Sequence, residues 1–408
     1  MLLARLLPRV IRIGRLEVID ATGRRHVVAG APGPMAAVRL HDRALHRKLL
    51  LNPRLYVGEA YMDGGLTIEQ GSLYDLLDLL ARNDDLMTGS TAWRIVNLGA
   101  QIARRWHQYN PVSRSRANVA HHYDLSDQLY ELFLDRDRQY SCAYFRNADD
   151  DLDTAQRNKK EHLAAKLLLR PGLKVLDIGC GWGGLALYLA AECGADVTGL
   201  TLSTEQLKVA RDRAAAAGLS DRVRFHLRDY REEDGLYDRI VSVGMFEHVG
   251  VNQYKTFFAK INALLKPDGV ALLHSIGRSD GPGATNPWLR KYIFPGGYSP
   301  ALSEVVPVVE RERLWITDIE ILRLHYAETL RAWRRRFQQN RDRIRALYDE
   351  RFCRMWEMYL VGSEIAFRQA GHLNFQMQLA KRVDTVPLTR DYVYEWEHGQ
   401  RAADERAA

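Results

Sequence analysis

One ten-residue stretch, Val175-Leu-Asp-Ile-Gly-Cys-Gly-Trp-Gly-Gly184, limits the folds open to this chain more than any other. An apolar strand runs into four glycines, and a helical pattern begins at once. Glycine lets the backbone turn tightly and come close to a ligand. Asp177 stands at the carboxyl end of the strand, the crest at which open α/β sheets bind ligands. A dinucleotide site uses Gly-x-Gly-x-x-Gly with helix N–H groups on a pyrophosphate. Here the glycines are Gly179, Gly181, Gly183 and Gly184, with an acid two residues before the first.

The pattern after Leu173 alternates strand and helix. Strands are expected at Lys174–Ile178, Asp196–Leu200, Val223–Leu227, Tyr237–Val243 and Gly269–Ser275, with helices at Gly184–Glu192, Thr204–Ala217 and Tyr254–Leu265. Such alternation means an α/β fold built on a mostly parallel, doubly wound, Rossmann-like sheet. Leu330–Tyr348 and Phe352–Phe367 read as long helices.

The length of 408 residues suits two domains rather than one. Residues 1–85 read as a small N-terminal α+β domain, to which the family resemblance carried by the later motifs assigns lipid binding. Gly14–Gly23 is a strand and turn, Gly30–Pro34 a loop, Ala36–Leu40 a second strand, and a helix opens at Glu69–Leu73 and runs to Leu80. Residues 86–115 form a linker built on a basic amphipathic helix, Ala92–Gln108. Residues 116–400 are the catalytic domain and 401–408 a frayed tail.

The net charge of +7 fits nucleic acid, an anionic membrane or an acidic substrate and does not choose among them. Asn-Pro-Pro-Tyr and Pro-Cys motifs, which a nucleic-acid methylating enzyme would use, are missing, and no nucleic-acid partner is expected. Cys142, Cys180, Cys193 and Cys353 are scattered without metal-ligand spacing, which fits a reducing compartment. Met1–Leu16, with Arg5, Arg9, Arg12 and Arg15, lacks the long apolar core of a signal peptide. No apolar run nears the ~18 residues that span a bilayer.

The Val175–Gly184 segment resembles motif I of the class I methyltransferases, whose loop cradles the methionine and ribose part of S-adenosylmethionine. The resemblance implies further cofactor contacts at the next strand ends. Thr201, Ser203 and Gln206 stand where the ribose is met, usually by a carboxylate, and Asp229 and Tyr230 stand near the adenine. Asp229 has an alternative reading as a turn or helix cap.

More specific segments follow one another in order: His122–Ser126, Tyr140–Phe145, Thr201–Ser203 with Gln206, Ser242–Gly250, His274–Gly277, Trp288–Gly296 and Arg351–Leu360. Together they resemble the cyclopropane-fatty-acyl-phospholipid synthase family, related to the mycolic acid cyclopropane synthases. The likeness covers residues from about 15 to 395. It implies transfer of a carbon from S-adenosylmethionine to the cis double bond of a phospholipid acyl chain, with a bicarbonate ion as base. By position, the ion's cage is Cys142 and Ile276 through backbone donors, and Glu247, His274 and Tyr326 through side chains. Tyr140, Ser141, Asp177, Gly179 and Gly181 join Thr201, Ser203, Gln206, Asp229 and Tyr230 as cofactor residues. It also implies a homodimer, cytoplasmic and peripheral at the inner face of the cytoplasmic membrane.

Taken singly, these residues have plainer readings. Glu247 could be an exposed acid at a helix start, His274 a structural histidine, Cys142 a small buried hydrophobe and Tyr326 a packing residue. The basic run from Arg331 to Arg345 is either a solvated face or an attraction to anionic headgroups. Two other functions compete: a fatty-acyl C-methyltransferase leaving a methyl branch, and a non-catalytic lipid- or adenosyl-binding regulator.

Overall fold

The computed structural model describes residues 7–84 and 126–407, in two compact units. The Ala92–Gln108 helix and His122 lie outside the described residues. The first unit holds residues 7–84, and also 283–295 and 330–372. The second holds 126–282, 296–329 and 373–407. The catalytic part expected at 116–400 is therefore interrupted twice by segments that pack with the N-terminal unit.

The first unit is built on a four-stranded sheet of β1 (Ile13–Ile19), β2 (Arg25–Ala29), β3 (Ala31–Leu40) and β4 (Leu66–Gln70), in the order β2-β1-β3-β4. The expected loop at Gly30–Pro34 instead opens β3, whose pairing with β1 shifts register there. The helix Leu73–Ala81 starts on a capping box: Ser72 Oγ accepts from the Asp75 N–H, and the Asp75 carboxylate accepts from the Ser72 N–H. Buried Asn83 ties this helix to β1. Its Oδ1 accepts from the N–H groups of Arg12 and Ile13, and its Nδ2 donates to the carbonyls of Ile13 and Leu79.

The second unit carries seven strands: β5 (Lys174–Ile178), β6 (Asp196–Thr201), β7 (Val223–Leu227), β8 (Tyr237–Val243), β9 (Leu265–Arg278), β10 (Trp315–Ile321) and β11 (His372–Ala380). Their order is β10-β11-β9-β8-β5-β6-β7. The run from β9 through β8, β5 and β6 to β7 is parallel throughout. Successive side chains face opposite sides of a sheet. Leu176 and Ile178 enter a core with Ile240, Phe257 and Phe258, while Val175 joins Val197, Val241, Leu185 and Leu189 on the other face. Apolar burial on both faces is what a doubly wound parallel sheet requires.

The order reverses at β5, with β6 on one side and β8 on the other. Such switch points leave a crevice at the strands' carboxyl ends. Register brings Asp177 level with Gly199 and Val241, and Val243 level with His274.

The expected strands and helices between Lys174 and Ser275 are present, with ends moved by a residue or a few. β10 and β11, an antiparallel pair, extend the sheet beyond what the alternation implied. The single helix expected at Leu330–Tyr348 is two, His325–Gln339 and Arg341–Leu347, parted at Asn340, whose Nδ2 donates to the Arg336 carbonyl. The tail is helical to Ala407 rather than frayed.

Gly183 caps the helix Gly184–Ala191 at φ +82°, and a Cβ there would lie 2.6 Å from Phe225 Cζ. Gly181, at φ +54°, faces open space. Gly183→Ala is expected to destabilise the protein by about 2–4 kcal/mol, from backbone strain plus overpacking. Gly181→Ala carries strain alone, about 1 kcal/mol. Thermal melts of the two variants should rank them in that order.

Candidate active site

At the end of β5, the Asp177 carboxyl is buried and its Oδ2 has no hydrogen-bond partner among the described residues. Burial pushes it up to about 7, against the pull of the Lys159 ammonium. The glycine turn that follows has room above Gly181 for a ligand. An orphaned acceptor beside open backbone is a place for a cationic or donor-bearing group.

At the end of β6, Thr201 Oγ1 donates to Gln206 Oε1 at 2.9 Å and accepts from the Ser203 N–H. Ser203 caps the helix Thr204–Ala216, its Oγ accepting from the Gln206 N–H. The three residues expected at the ribose thus form one knot. It leaves the Gln206 amide nitrogen as donor, unclaimed by any described residue.

The two residues expected near the adenine have partners within the protein. Asp229 caps a short 3-10 helix, Tyr230–Glu232, and its carboxylate grips the Arg231 guanidinium through both oxygens, at 2.8 and 2.7 Å. The cap reading of Asp229 is the one seen. Tyr230 belongs to the apolar core, edge-on to Phe257. Arg231, lying over the Tyr230 ring, was not singled out in the sequence.

The segment 139–145 is held in place by buried polar groups. Gln156 donates to the carbonyls of Gln139 and Ser141. The Lys159 ammonium, fully buried, donates to Gln139 Oε1 at 2.6 Å and Ser141 Oγ at 2.9 Å. Desolvation draws this lysine down to about 8. Tyr140 packs edge-on against Tyr130. Thr329 Oγ1 accepts from the Ala143 N–H, and His325 Nδ1 accepts from the Phe145 N–H. The first turn of the His325–Gln339 helix is thereby stitched to this segment, and buried Tyr326 stands on that turn. The Cys142 thiol is fully buried, with its pKa pushed far up by desolvation, so it is no thiolate. Its N–H has no acceptor among the described residues.

Glu247 sits on the 3-10 turn Phe246–His248 that follows β8. Its Oε1 accepts from the Ile276 N–H at 2.6 Å, and its buried Oε2 has no partner among the described residues. Burial lifts the carboxyl to about 7, opposed by the Ile276 and Ser275 hydrogen bonds. Glu247 is therefore not an exposed acid. The Ile276 donor, expected to face an ion, is taken by Glu247.

His274 is also engaged. Asn374 Nδ2 lies 2.8 Å from its Nε2, and the Gln376 amide lies 3.2 Å from its Nδ1. A neutral ring accepts at one nitrogen and donates at the other. One of the two amides must therefore turn its oxygen toward the ring. Burial keeps this imidazole neutral. Both nitrogens expected to orient an ion are thus held by β11.

Lys159, Thr329, Asn374 and Gln376 escaped the sequence reading. The helix Leu152–Lys166 did carry a signal: Gln156, Lys159, His162 and Lys166 are spaced three or four apart among Ala155, Leu163 and Ala164, all buried on one helix. Polar groups in that phase among core positions are rare unless they serve a site.

Residues 111–377 match the family described as mycolic acid cyclopropane synthetase. The chain belongs to this family.

A probable fatty acid methyltransferase of Pseudomonas putida is 41% identical over 376 residues, covering 89% of this chain and 92% of that protein. The cyclopropane-fatty-acyl-phospholipid synthase of Escherichia coli K12 is 37% identical over 351 residues, covering 86% and 89%. Mycolic acid cyclopropane synthase CmaA1, crystallised with SAH and CTAB, superposes with a TM-score of 0.62 at 34% identity, covering 66% of this chain and 98% of that one. As a member of the cyclopropane synthetase family, the chain is an S-adenosylmethionine-dependent methyltransferase of the class I fold. The orphaned Asp177 oxygen, the space above Gly181 and the Gln206 amide nitrogen fit that cofactor.

The raised Glu247 pKa has a sign that can be measured. The folded protein holds this proton more tightly than the unfolded chain, whose glutamates titrate near 4.5. The contribution to stability is complete below that pH and is lost as pH rises through about 7. Glu247→Gln, which cannot ionise, is expected to be more stable than the parent at pH 8, by on the order of 1–3 kcal/mol, and equal to it near pH 4.5. Denaturant titrations across that range test this.

Proposed function

We propose that the chain is a cyclopropane-fatty-acyl-phospholipid synthase, acting on the cis double bonds of acyl chains in membrane phospholipid. The observation that carries this reading is Glu247: a buried carboxyl, lifted to about 7, with one oxygen fixed by the Ile276 N–H and the other unclaimed beside the crest. Bound S-adenosylmethionine supplies an electrophilic methyl carbon, and an alkene that takes it up is left with positive charge on the neighbouring chain carbon. Ring closure then needs that methyl to lose a proton before water reaches the charge. Burial of Cys142, Glu247, His274 and Phe246 keeps water out. Glu247 is poised to hold or pass a proton at neutral pH. A bicarbonate ion would supply the base here. The Cys142 N–H and Glu247 Oε2 are the groups left to hold it, because the Ile276 N–H and both His274 nitrogens are already bonded.

A second reading is favoured by the name of the Pseudomonas putida relative. The same charged chain can lose the proton from the carbon bearing the new methyl, which leaves a methyl-substituted alkene. The two outcomes differ in which carbon gives up its hydrogen.

For location, we propose a homodimer at the inner, anionic face of the cytoplasmic membrane. Among the described residues no helix is long and apolar enough to cross a membrane. Exposed Arg335, Arg343 and Arg345 offer positive charge to headgroups.

Incubation with unsaturated phospholipid vesicles and labelled S-adenosylmethionine is expected to give acyl chains one carbon heavier that resist mild hydrogenation. Chains that take up hydrogen instead would establish the methyl-bearing product. Glu247→Gln and Tyr326→Phe are expected to cut turnover by roughly 100-fold or more while binding S-adenosylhomocysteine within about threefold of the parent. Sedimentation with anionic vesicles should show binding at low salt that is lost in high salt; binding indifferent to salt would remove the electrostatic route.

A further inference from the structure

Lys159 is a buried ammonium at the crest, and its pull on the Asp177 carboxyl does not account for the two hydrogen bonds it makes. It is 0% exposed, and among the described residues no carboxylate pairs with it. Nearby Asp135 is occupied by the N–H groups of Gln139 and Asp137, and Asp137 by Lys160 and Arg213. Burying an ammonium without a counter-ion costs several kcal/mol. A hydrophobic residue at this helix position would avoid that cost, so the charge has a use.

The bonds it makes indicate the use. An ammonium only donates. Ser141 Oγ, 2.9 Å away, must therefore be its acceptor, and the Ser141 hydroxyl hydrogen must point elsewhere. The serine becomes a donor of fixed direction, backed by a positive charge. Ser141 lies over the end of β8, its Cβ 3.6 Å from where a Cβ on Gly244 would stand. The ribose knot of Thr201 and Gln206 is at the end of β6, on the opposite side of β5. The methionine end of the cofactor then lies toward β5 and β8. That end is a zwitterion, with one ammonium and one carboxylate. Asp177 Oδ2 offers an acceptor for the first, and Ser141 offers a donor for the second.

We infer that Lys159 is a positioning residue for the cofactor's carboxylate, acting through Ser141. The inference rests on the cofactor being S-adenosylmethionine and adds a role for a residue that no sequence motif marked.

The test compares S-adenosylhomocysteine with its decarboxylated analogue, by calorimetric titration of the full chain. The parent should prefer the carboxylate-bearing ligand by at least tenfold. Lys159→Met should reduce that preference to less than threefold, leaving affinity for the decarboxylated analogue within threefold of the parent. Ser141→Ala should do the same, and it decides the question if Lys159→Met fails to fold. A Lys159→Met protein that binds both ligands weaker by one common factor has lost structure rather than carboxylate recognition, and overturns the inference. So does a Ser141→Ala protein that keeps the full preference. A parent protein that binds neither ligand overturns the cofactor assignment itself.

Discussion

Removal of water from two carboxyl groups is the constraint on which the rest of this site depends. Asp177 and Glu247 follow from adjacent parallel strands, β5 and β8, and among the described residues neither is in contact with a cation. Each is lifted to about 7, chiefly by burial. An acid in that state can hold a proton or give it up at neutral pH without large cost either way. It is also a poor place for water, which suits chemistry that passes through a positively charged carbon.

The fold supplies this environment in layers. Parallel strands with apolar residues on both faces bury everything but their carboxyl ends. Around those ends, polar side chains satisfy one another rather than solvent. Thr201 closes on Gln206, His274 is bracketed by Asn374 and Gln376, and Ile276 donates to Glu247. The segment 139–145 closes over the crest and is pinned by Gln156, Lys159, Thr329 and His325. Around these pins, particular donors and acceptors stay unclaimed among the described residues: the Cys142 N–H and the Glu247 Oε2. The selectivity of the site resides in which groups are left over.

The sheet between Lys174 and Ser275 was legible in the sequence because strand and helix periods there are uninterrupted and the glycine turn fixes the register of the first crossover. Asp177 could be assigned to the crest for the same reason. β10 and β11 were not legible. Trp315–Ile321 is only half buried, and His372–Ala380 carries Asn374, Gln376 and Gln378 on a buried strand, so neither shows an apolar run. Two of those polar residues, Asn374 and Gln376, are the ones that hold His274, which explains why a strand and a site partner were missed together. The burial of Tyr230 was not legible either: a tyrosine after a strand end gives no sign that its ring fills the core beside Phe257. The division of the chain was hidden too, because residues 283–295 and 330–372 join the N-terminal unit across a long sequence separation.

The ionisation of Glu247 can be read directly. Infrared difference spectra between the parent and Glu247→Gln, recorded across a pH series, isolate the carboxyl stretch of this one side chain. The account predicts a protonated carboxyl band that persists well above the ordinary glutamate range and disappears around pH 7. A carboxylate already ionised at pH 5 would contradict it, because a group so easily charged is neither dry nor alone.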